Sequence, residues 1–256
     1  MGLDSFNRLD IVARDPEAPE SGVRVIIVNG RGWDGPDEAL LTVQAMVKFS
    51  RLLPYAEQQT QAGTPTRLEL LNFGEPPDTL LRWLNARGVT NETRQHVDDA
   101  GWPSRGRPAA FPADAEGLPA LDPLMEANAE RFAEQRGLPW PPAMEGLEAL
   151  DGVLEARRTS VGLGPEDHSE DIDDGDLVVM AGAYAGEITR REFGGRWKLD
   201  PQNSTPLTLS VGEEKRQIVV NFPGKVVKYL CYGAEDSVRS LVSAVRAHIR
   251  HELRKA

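Results

Sequence analysis

Cysteine is nearly absent from this sequence, with Cys231 the single example among 256 residues. One cysteine excludes an internal disulfide and a metal cluster built from cysteines, and it is typical of chains that fold in a reducing compartment. No apolar run approaches the roughly 20 residues that cross a bilayer. The first residues also lack the basic and apolar regions of a secretory signal. We therefore expect a cytoplasmic protein that has no membrane partner.

Positive charge is also scarce, because 29 lysines and arginines stand against 40 aspartates and glutamates, for a formal net charge of −11. Such a chain repels phosphate backbones, which disfavours nucleic acid as a general partner. The hydrophobic fraction of 40% is sufficient for a core. The length suits one large domain or two small ones.

Residues 23–89 alternate between strand and helix patterns. An apolar, β-branched run at 23–28 predicts a buried strand, and helical spacing of apolar residues follows to about residue 59. A second strand is predicted at 66–73 and a short helix from Asp78 to Gly88. This order predicts an α/β N-terminal domain with a Rossmannoid-like parallel sheet.

The second half has a different pattern. Amphipathic helices are predicted near 121–136, 144–157 and 177–193, and a period of two within 197–231 predicts four strands. Pro223-Gly224 is interpreted as the hairpin turn between the last two, and a closing helix capped by Asp236 or Ser237 follows. We expect an α+β C-terminal domain of helices, antiparallel sheet and closing helix. The predicted boundaries are a polar arm at 1–21, the α/β domain at 22–115, a linker and helix at 116–143, and the α+β domain at 144–256.

A glycine-rich loop separates the first predicted strand from the first predicted helix. Gly30, Gly32 and Gly35 match the pattern G-x-G-x-x-G, in which glycines let a phosphate approach a helix N-terminus. Two features oppose an ordinary dinucleotide site: no acidic residue ends a second strand about 20 residues on, and Pro36 crowds the position after the third glycine. A plain structural turn is the alternative interpretation.

Three segments carry a resemblance to a known superfamily. They are the strand and turn ending in Asn-Gly-Arg-Gly-Trp at 24–33, the helix at 78–89, and Gly-Trp-Pro-Ser-Arg-Gly-Arg at 101–107. Together, over 23–113, they resemble a degenerate SLOG-type domain, a Rossmannoid fold that binds nucleotides. Two prolines at 76–77 stand where amides should face a phosphate, so the resemblance implies altered or lost binding. The nucleotide-binding residues implied by the loop and the resemblance are Gly30, Arg31, Gly32, Trp33, Gly35 and Asp78.

A distinctive run occupies the predicted helix near 177–193. Gly182 and Gly186 lie four residues apart, so they form a small-residue helix face that permits close packing. The sequence Gly-Ala-Tyr-Ala-Gly-Glu, followed by Gly-Gly-Arg-Trp, resembles uncharacterised bacterial domain families over residues 144–250. That resemblance implies a fold and no established chemistry. Glu187 is a candidate partner contact or buried carboxylate, and an ion pair with Arg190 or Arg191 is the ordinary alternative.

Other clusters carry weaker signals. The acidic stretch at 166–176 does not keep the register of a calcium loop. His248 and His251 lie three apart without an evident third metal ligand, and Cys231 is expected in the core. Arg246 and Arg250, with Arg254, form a basic stripe on the closing helix that could contact an acidic partner or the chain's own acidic loop.

These observations lead to two functional hypotheses. The first is a non-enzymatic bacterial binding or accessory protein, of an interaction or immunity type, with an unknown protein partner contacted by Glu187, Arg246 and Arg250. It requires no cofactor and no metal. The alternative is a nucleotide-binding or nucleotide-processing protein that uses the glycine loop at 29–37.

Overall fold

The computed structural model describes residues 9–13, 23–29, 33, 38–63, 66–73, 75–94, 120–162, 175–199, 206–212 and 217–253. Seven α-helices and seven strands lie within these ranges. The chain divides into two compact units, Met1–Leu124 and Met125–Ala256. None of the described helices is both long enough and apolar enough to span a membrane.

The first unit contains four strands and two helices. Its elements, in chain order, are β1 (Leu9–Ala13), β2 (Val23–Asn29), α1 (Glu38–Gln61), β3 (Thr66–Phe73), α2 (Asp78–Asn85) and β4 (Thr90–Arg94). The strands pair in the order β1-β2-β3-β4. β1 is antiparallel to β2, whereas β2 with β3 and β3 with β4 are parallel, so the sheet is mixed. β1 lies within the segment predicted as an arm, and no pattern in the sequence indicated β4.

Helix α1 is buried on all sides over its first half. Every residue from Glu38 to Met46 is buried, whereas the half beyond Phe49 and Ser50 is mostly exposed or partly exposed. A helix surrounded in this way has no polar face. Glu38, Thr42 and Gln44 are therefore buried as well, although a helix with only one apolar face would expose these polar side chains to solvent.

The second unit is built around one helix. Its elements are α3 (Leu121–Arg136, from Met125 onward), α4 (Gly146–Val161), α5 (Gly175–Phe193), β5 (Arg196–Leu199), β6 (Leu207–Val211), β7 (Ile218–Val220), α6 (Phe222–Tyr232) and α7 (Val238–Leu253). β5, β6 and β7 form an antiparallel sheet with β6 in the centre. Fourteen of the 19 residues of α5 are buried. Its Tyr184 lies against Phe132 of α3 and donates a hydrogen bond to the carbonyl of Pro139 at 3.0 Å.

The predicted fourth strand of the second half is wrong, because residues 222–232 form helix α6. The predicted hairpin turn at Pro223-Gly224 is instead the first turn of that helix. Asn221 is its N-cap, and its side-chain oxygen accepts from the Gly224 N–H at 2.7 Å. Asparagine at the N-cap and proline in the first turn are helix-start signals, and they outweigh the apparent alternation of Val227, Tyr229 and Cys231.

The predicted fold class is therefore wrong. The described residues are mainly helical, and the antiparallel sheet of the second unit has only three short strands. The first unit differs from an all-parallel Rossmannoid sheet because β1 adds an antiparallel edge. Local periodicity assigned one strand too many to the second half, because β-branched residues such as Val226 and Val227 also occur on helices.

Candidate functional site

The glycine loop is the first candidate site, and most of it lies outside the described residues. This applies to Gly30, Arg31, Gly32 and Gly35. Trp33 is described and is 1% exposed, so its ring belongs to the core and offers no face to a ligand. Asp78 begins α2 and is partly exposed.

The backbone register relates the loop to Asp78. Asn29, the last residue of β2, is the register partner of Asn72 near the end of β3. The loop follows β2 and Asp78 follows β3, so both leave the carboxyl edge of neighbouring strands. Ligands of open α/β sheets bind at that edge.

Glu38 stands at the first position of α1, directly after the loop. It is 9% exposed, and its Oε1 atom has no hydrogen-bond partner among the described residues. Burial raises the pKa of Glu38 from 4.5 to about 7. A carboxyl group that ionises near neutral pH opposes an anion at the same helix N-terminus, because the two negative charges repel.

Glu187 is the centre of a closed polar cluster in the second unit. Its side chain is fully buried. Its two carboxylate oxygens accept from Arg190 Nε at 2.8 and 2.9 Å, and Oε1 also accepts from Trp197 Nε1 at 2.9 Å. The alternative of an ion pair with Arg190 is confirmed. A direct partner contact by Glu187 is not possible in this arrangement, because solvent does not reach it.

Glu126 of α3 extends this cluster to the surface. It pairs with Arg190 at 3.2 Å and with Arg191 at 2.7 Å, while the Arg191 guanidinium lies 5.2 Å from the centre of the Trp140 ring. The cluster thus links α3, α5 and β5. Its two carboxylates and two guanidiniums balance one another, which is the arrangement expected of a structural network.

The basic stripe on α7 is open to solvent. Arg246 Nε and Arg250 Nη2 both donate to the same oxygen of Glu192, at 2.8 and 3.0 Å. The Arg250 side chain remains 52% exposed. Arg239 also lies on α7 and forms a loose pair with the exposed Glu148 at 3.5 Å, and the one acidic residue in the sequence of this helix is Glu252, in its last turn. Arg254 lies outside the described residues.

Cys231 and the two candidate histidines lie on helices α6 and α7. Cys231 is buried, as expected. His248 and His251 are exposed, and no group of three or more potential metal ligands occurs within the described ranges. The acidic stretch lies outside those ranges up to residue 174. The segment at 101–107 lies outside them entirely.

Sequence reasoning missed the acidic partners of these clusters. Asp151 of α4 accepts from the Ser237 hydroxyl at 2.6 Å and from the Val238 N–H at 3.1 Å, which places a carboxylate at the N-terminus of α7. Glu126, Asp151 and Glu192 are ordinary helix residues in the sequence. Each contacts a group on another element, so no local spacing could identify them.

Comparison with known proteins identified no relative of this chain. No family model, no curated protein and no solved structure matches this chain.

Proposed function

We propose that this chain is a binding protein without a reaction of its own, and that the basic face of α7 contacts an acidic protein partner. One observation carries the proposal: Arg246 and Arg250 share a single carboxylate, that of Glu192. Two positive charges against one negative charge leave an excess of positive charge on the exposed face of α7. In a chain of net charge −11, this excess is opposite in sign to the molecule as a whole.

Electrostatics explains why such a patch favours an acidic partner. A local patch of opposite sign orients an approaching acidic protein, and interface charges increase the association rate and the specificity more than the affinity. The guanidinium group suits this role because it is planar and donates two parallel hydrogen bonds to a carboxylate. Among the described residues Arg250 donates to Glu192 alone, so its other N–H groups are accessible on a side chain that is 52% exposed.

The test is a comparison of two double variants that remove the same charge. The chain is immobilised and exposed to a lysate of its native host, and any captured acidic protein is then purified and titrated directly. Changing Arg246 and Arg250 to Gln should weaken binding by about tenfold or more, because both charge-assisted contacts are lost. Changing Arg51 and Arg82 to Gln, which are exposed in the first unit, should leave binding unchanged. Equal affinities for the two double variants, or capture of no acidic protein, would contradict the proposal.

A second candidate function, nucleotide binding by the loop at 29–37, is favoured by a different observation. β2 ends at Asn29 and α1 begins at Glu38, so the loop connects a strand to a helix N-terminus, where phosphates bind. Thermal-shift measurements with a panel of nucleotides test this function. A stabilisation by one nucleotide that Gly32→Val abolishes would support it, and no shift across the panel would exclude it.

A further inference from the structure

A groove in the first unit lies at the opposite end of the sheet from the glycine loop. It has a volume of about 350 Å³ and is lined by the last turns of α1, the start of β3 and the turn after α2. This volume is near the lower end of the range of about 300–1,000 Å³ that is typical of small-molecule sites. The lining includes Glu57, Thr60, Thr66, Arg67 and Arg87.

Arg87 is held in place at the groove. Its guanidinium carbon lies 4.2 Å from the centre of the Trp83 ring, and its Nη1 donates to the Trp83 carbonyl at 3.2 Å. Trp83 itself is buried, so the ring is a fixed platform. A guanidinium positioned in advance loses less conformational entropy when it binds an anion. Burial also lowers the pKa of Arg87 below its ordinary value, which means that its charge is incompletely solvated.

The groove has more positive than negative charge. Neither Arg67 nor Arg87 forms an ion pair within the described part of the chain. Glu57 is the single acidic residue among the described residues that line the groove. Arg24, the second residue of β2, is the register partner of Arg67, so a third basic residue lies in the neighbouring strand at this end of the sheet.

Thr60 supplies a neutral donor to the same groove. Its hydroxyl oxygen accepts a hydrogen bond from the Thr66 N–H at 3.1 Å. A hydroxyl that accepts in this way keeps its own hydrogen for donation. Two guanidinium groups and a hydroxyl together provide the donors that phosphate oxygens require.

We propose that this groove binds a small molecule through a phosphate or diphosphate group, with Arg67 and Arg87 as its charged ligands. Guanidinium forks match the spacing of phosphate oxygens, and the groove accommodates a small molecule but no folded partner. The site lies in the first unit, whereas the proposed protein contact is on α7 of the second. The failure of one proposal therefore leaves the other standing.

The experiment is calorimetric titration of the full chain with inorganic pyrophosphate at constant ionic strength. Arg67→Gln and Arg87→Gln should each weaken binding by about tenfold, because each removes a charge-assisted contact. Glu57→Gln should strengthen binding, because it removes the one negative charge among the described residues of the groove. Arg82→Gln, which changes the net charge equally but lies outside the groove, should have no effect. Arg67 stacks on no aromatic ring among the described residues, so its variant keeps the test valid if Arg87→Gln fails to fold.

Several outcomes would overturn the proposal. The first is the absence of pyrophosphate binding by the folded wild-type chain. The second is a loss of affinity in Arg82→Gln as large as that in Arg67→Gln or Arg87→Gln. The third is a loss of affinity in Gly32→Val that the Arg67 and Arg87 variants do not show. The last result would place the anion in the glycine loop. A parallel titration with citrate, which carries carboxylates and no phosphate, tests whether the groove prefers phosphate. Citrate binding as tight as that of pyrophosphate would overturn the assignment to phosphate.

Discussion

Two buried glutamates in this chain have opposite surroundings. Glu187 accepts three hydrogen bonds from Arg190 and Trp197, which compensate for its removal from water. Glu38 is almost as deeply buried, but its Oε1 atom has no partner in the described residues. The hydrogen bonds of Glu187 are therefore expected to stabilise its unit, whereas burial favours the neutral form of the Glu38 carboxyl group.

Replacing the buried Glu187 by glutamine, which has nearly the same shape, should cause a large loss of stability. Glu187→Gln should lower the free energy of unfolding by about 3 kcal/mol or more, because Arg190 then loses its buried counter-charge. Glu126→Gln should cost less than about 1 kcal/mol, since Glu126 is 41% exposed. Urea denaturation followed by circular dichroism measures both values. Equal losses for the two variants would contradict the distinction between the buried and exposed pairs.

The raised pKa of Glu38 should make the free energy of unfolding decrease as the pH rises. Its pKa is raised from 4.5 to about 7 in the folded chain, so the unfolded chain releases this proton first as the pH rises. The contribution of Glu38 to stability is thus full below about pH 4.5, falls between about pH 4.5 and 7, and levels off above. Glu38→Gln should be more stable than the wild type by about 1 kcal/mol or more at about pH 8, and this gain should shrink towards about pH 4.5.

Glu57→Gln is the matched control for this measurement, because Glu57 lies on the same helix and is exposed. Its free energy of unfolding should follow the wild-type pH dependence. A gain from Glu38→Gln that is the same at every pH would show that the effect is not one of ionisation.

At the level of elements, the close packing of α5 depends on two glycines. A Cβ atom at Gly182 would lie 2.8 Å from the backbone nitrogen of Pro223, at the start of α6. A Cβ atom at Gly186 would collide with the Trp197 ring of β5. The predicted small-residue face is confirmed, and its role is to let α6 and β5 approach the same helix.

Alanine substitutions at two helical glycines should have opposite effects. Gly182→Ala should destabilise the chain by about 1–3 kcal/mol, because the obstructing atoms belong to backbone that cannot move aside easily. Gly152→Ala, on α4, should stabilise it by about 0.5–1 kcal/mol, since nothing lies within 4 Å of the added carbon and alanine favours the helix. Thermal unfolding measures both. A stabilising Gly182→Ala would contradict the packing account.

At the scale of the whole molecule, the second unit has its own core and its own polar clusters. Tyr184, Phe132, Trp197 and Phe222 pack within it, and all the ion pairs described above for α5 and α7 join residues of this unit. A compact unit with a separate core is expected to fold independently.

Expression of residues 120–256 tests this expectation. The boundary between units falls within α3, so the fragment includes the whole of that helix. We expect a helical circular dichroism spectrum, cooperative unfolding, and the same loss from Glu187→Gln as in the full chain. A fragment that lacks cooperative unfolding would show that the second unit depends on the first.

Much of the element order could be predicted from the sequence. The segments at 66–73 and 121–136 were placed correctly, because their patterns are long and are bounded by turn residues. The last helix was also anticipated, and the Ser237 hydroxyl accepts from the Ser240 N–H as an N-cap does. β1 and β4 were missed, since strands of five residues carry too short a pattern and are defined by pairing with a neighbour.

The candidate sites depended more on tertiary structure. Glu187, Arg246 and Arg250 were singled out by their sequence context, but their partners include residues far along the chain. Arg250, for example, lies 58 residues from Glu192. The groove at Arg67 and Arg87 gave no local signal, because β3 and the turn after α2 come together only in the folded unit.

The sequence by itself determined the helices with clear periodicity, the glycine face of α5, the acidic net charge and the basic stripe of α7. These properties depend on residue order and composition over a few turns. Tertiary structure alone decided that Glu187 is inaccessible, that Glu192 neutralises only part of the stripe, and that Glu38 is buried. Burial and pairing are decided by which distant residues surround a group, and local periodicity carries no information about those neighbours.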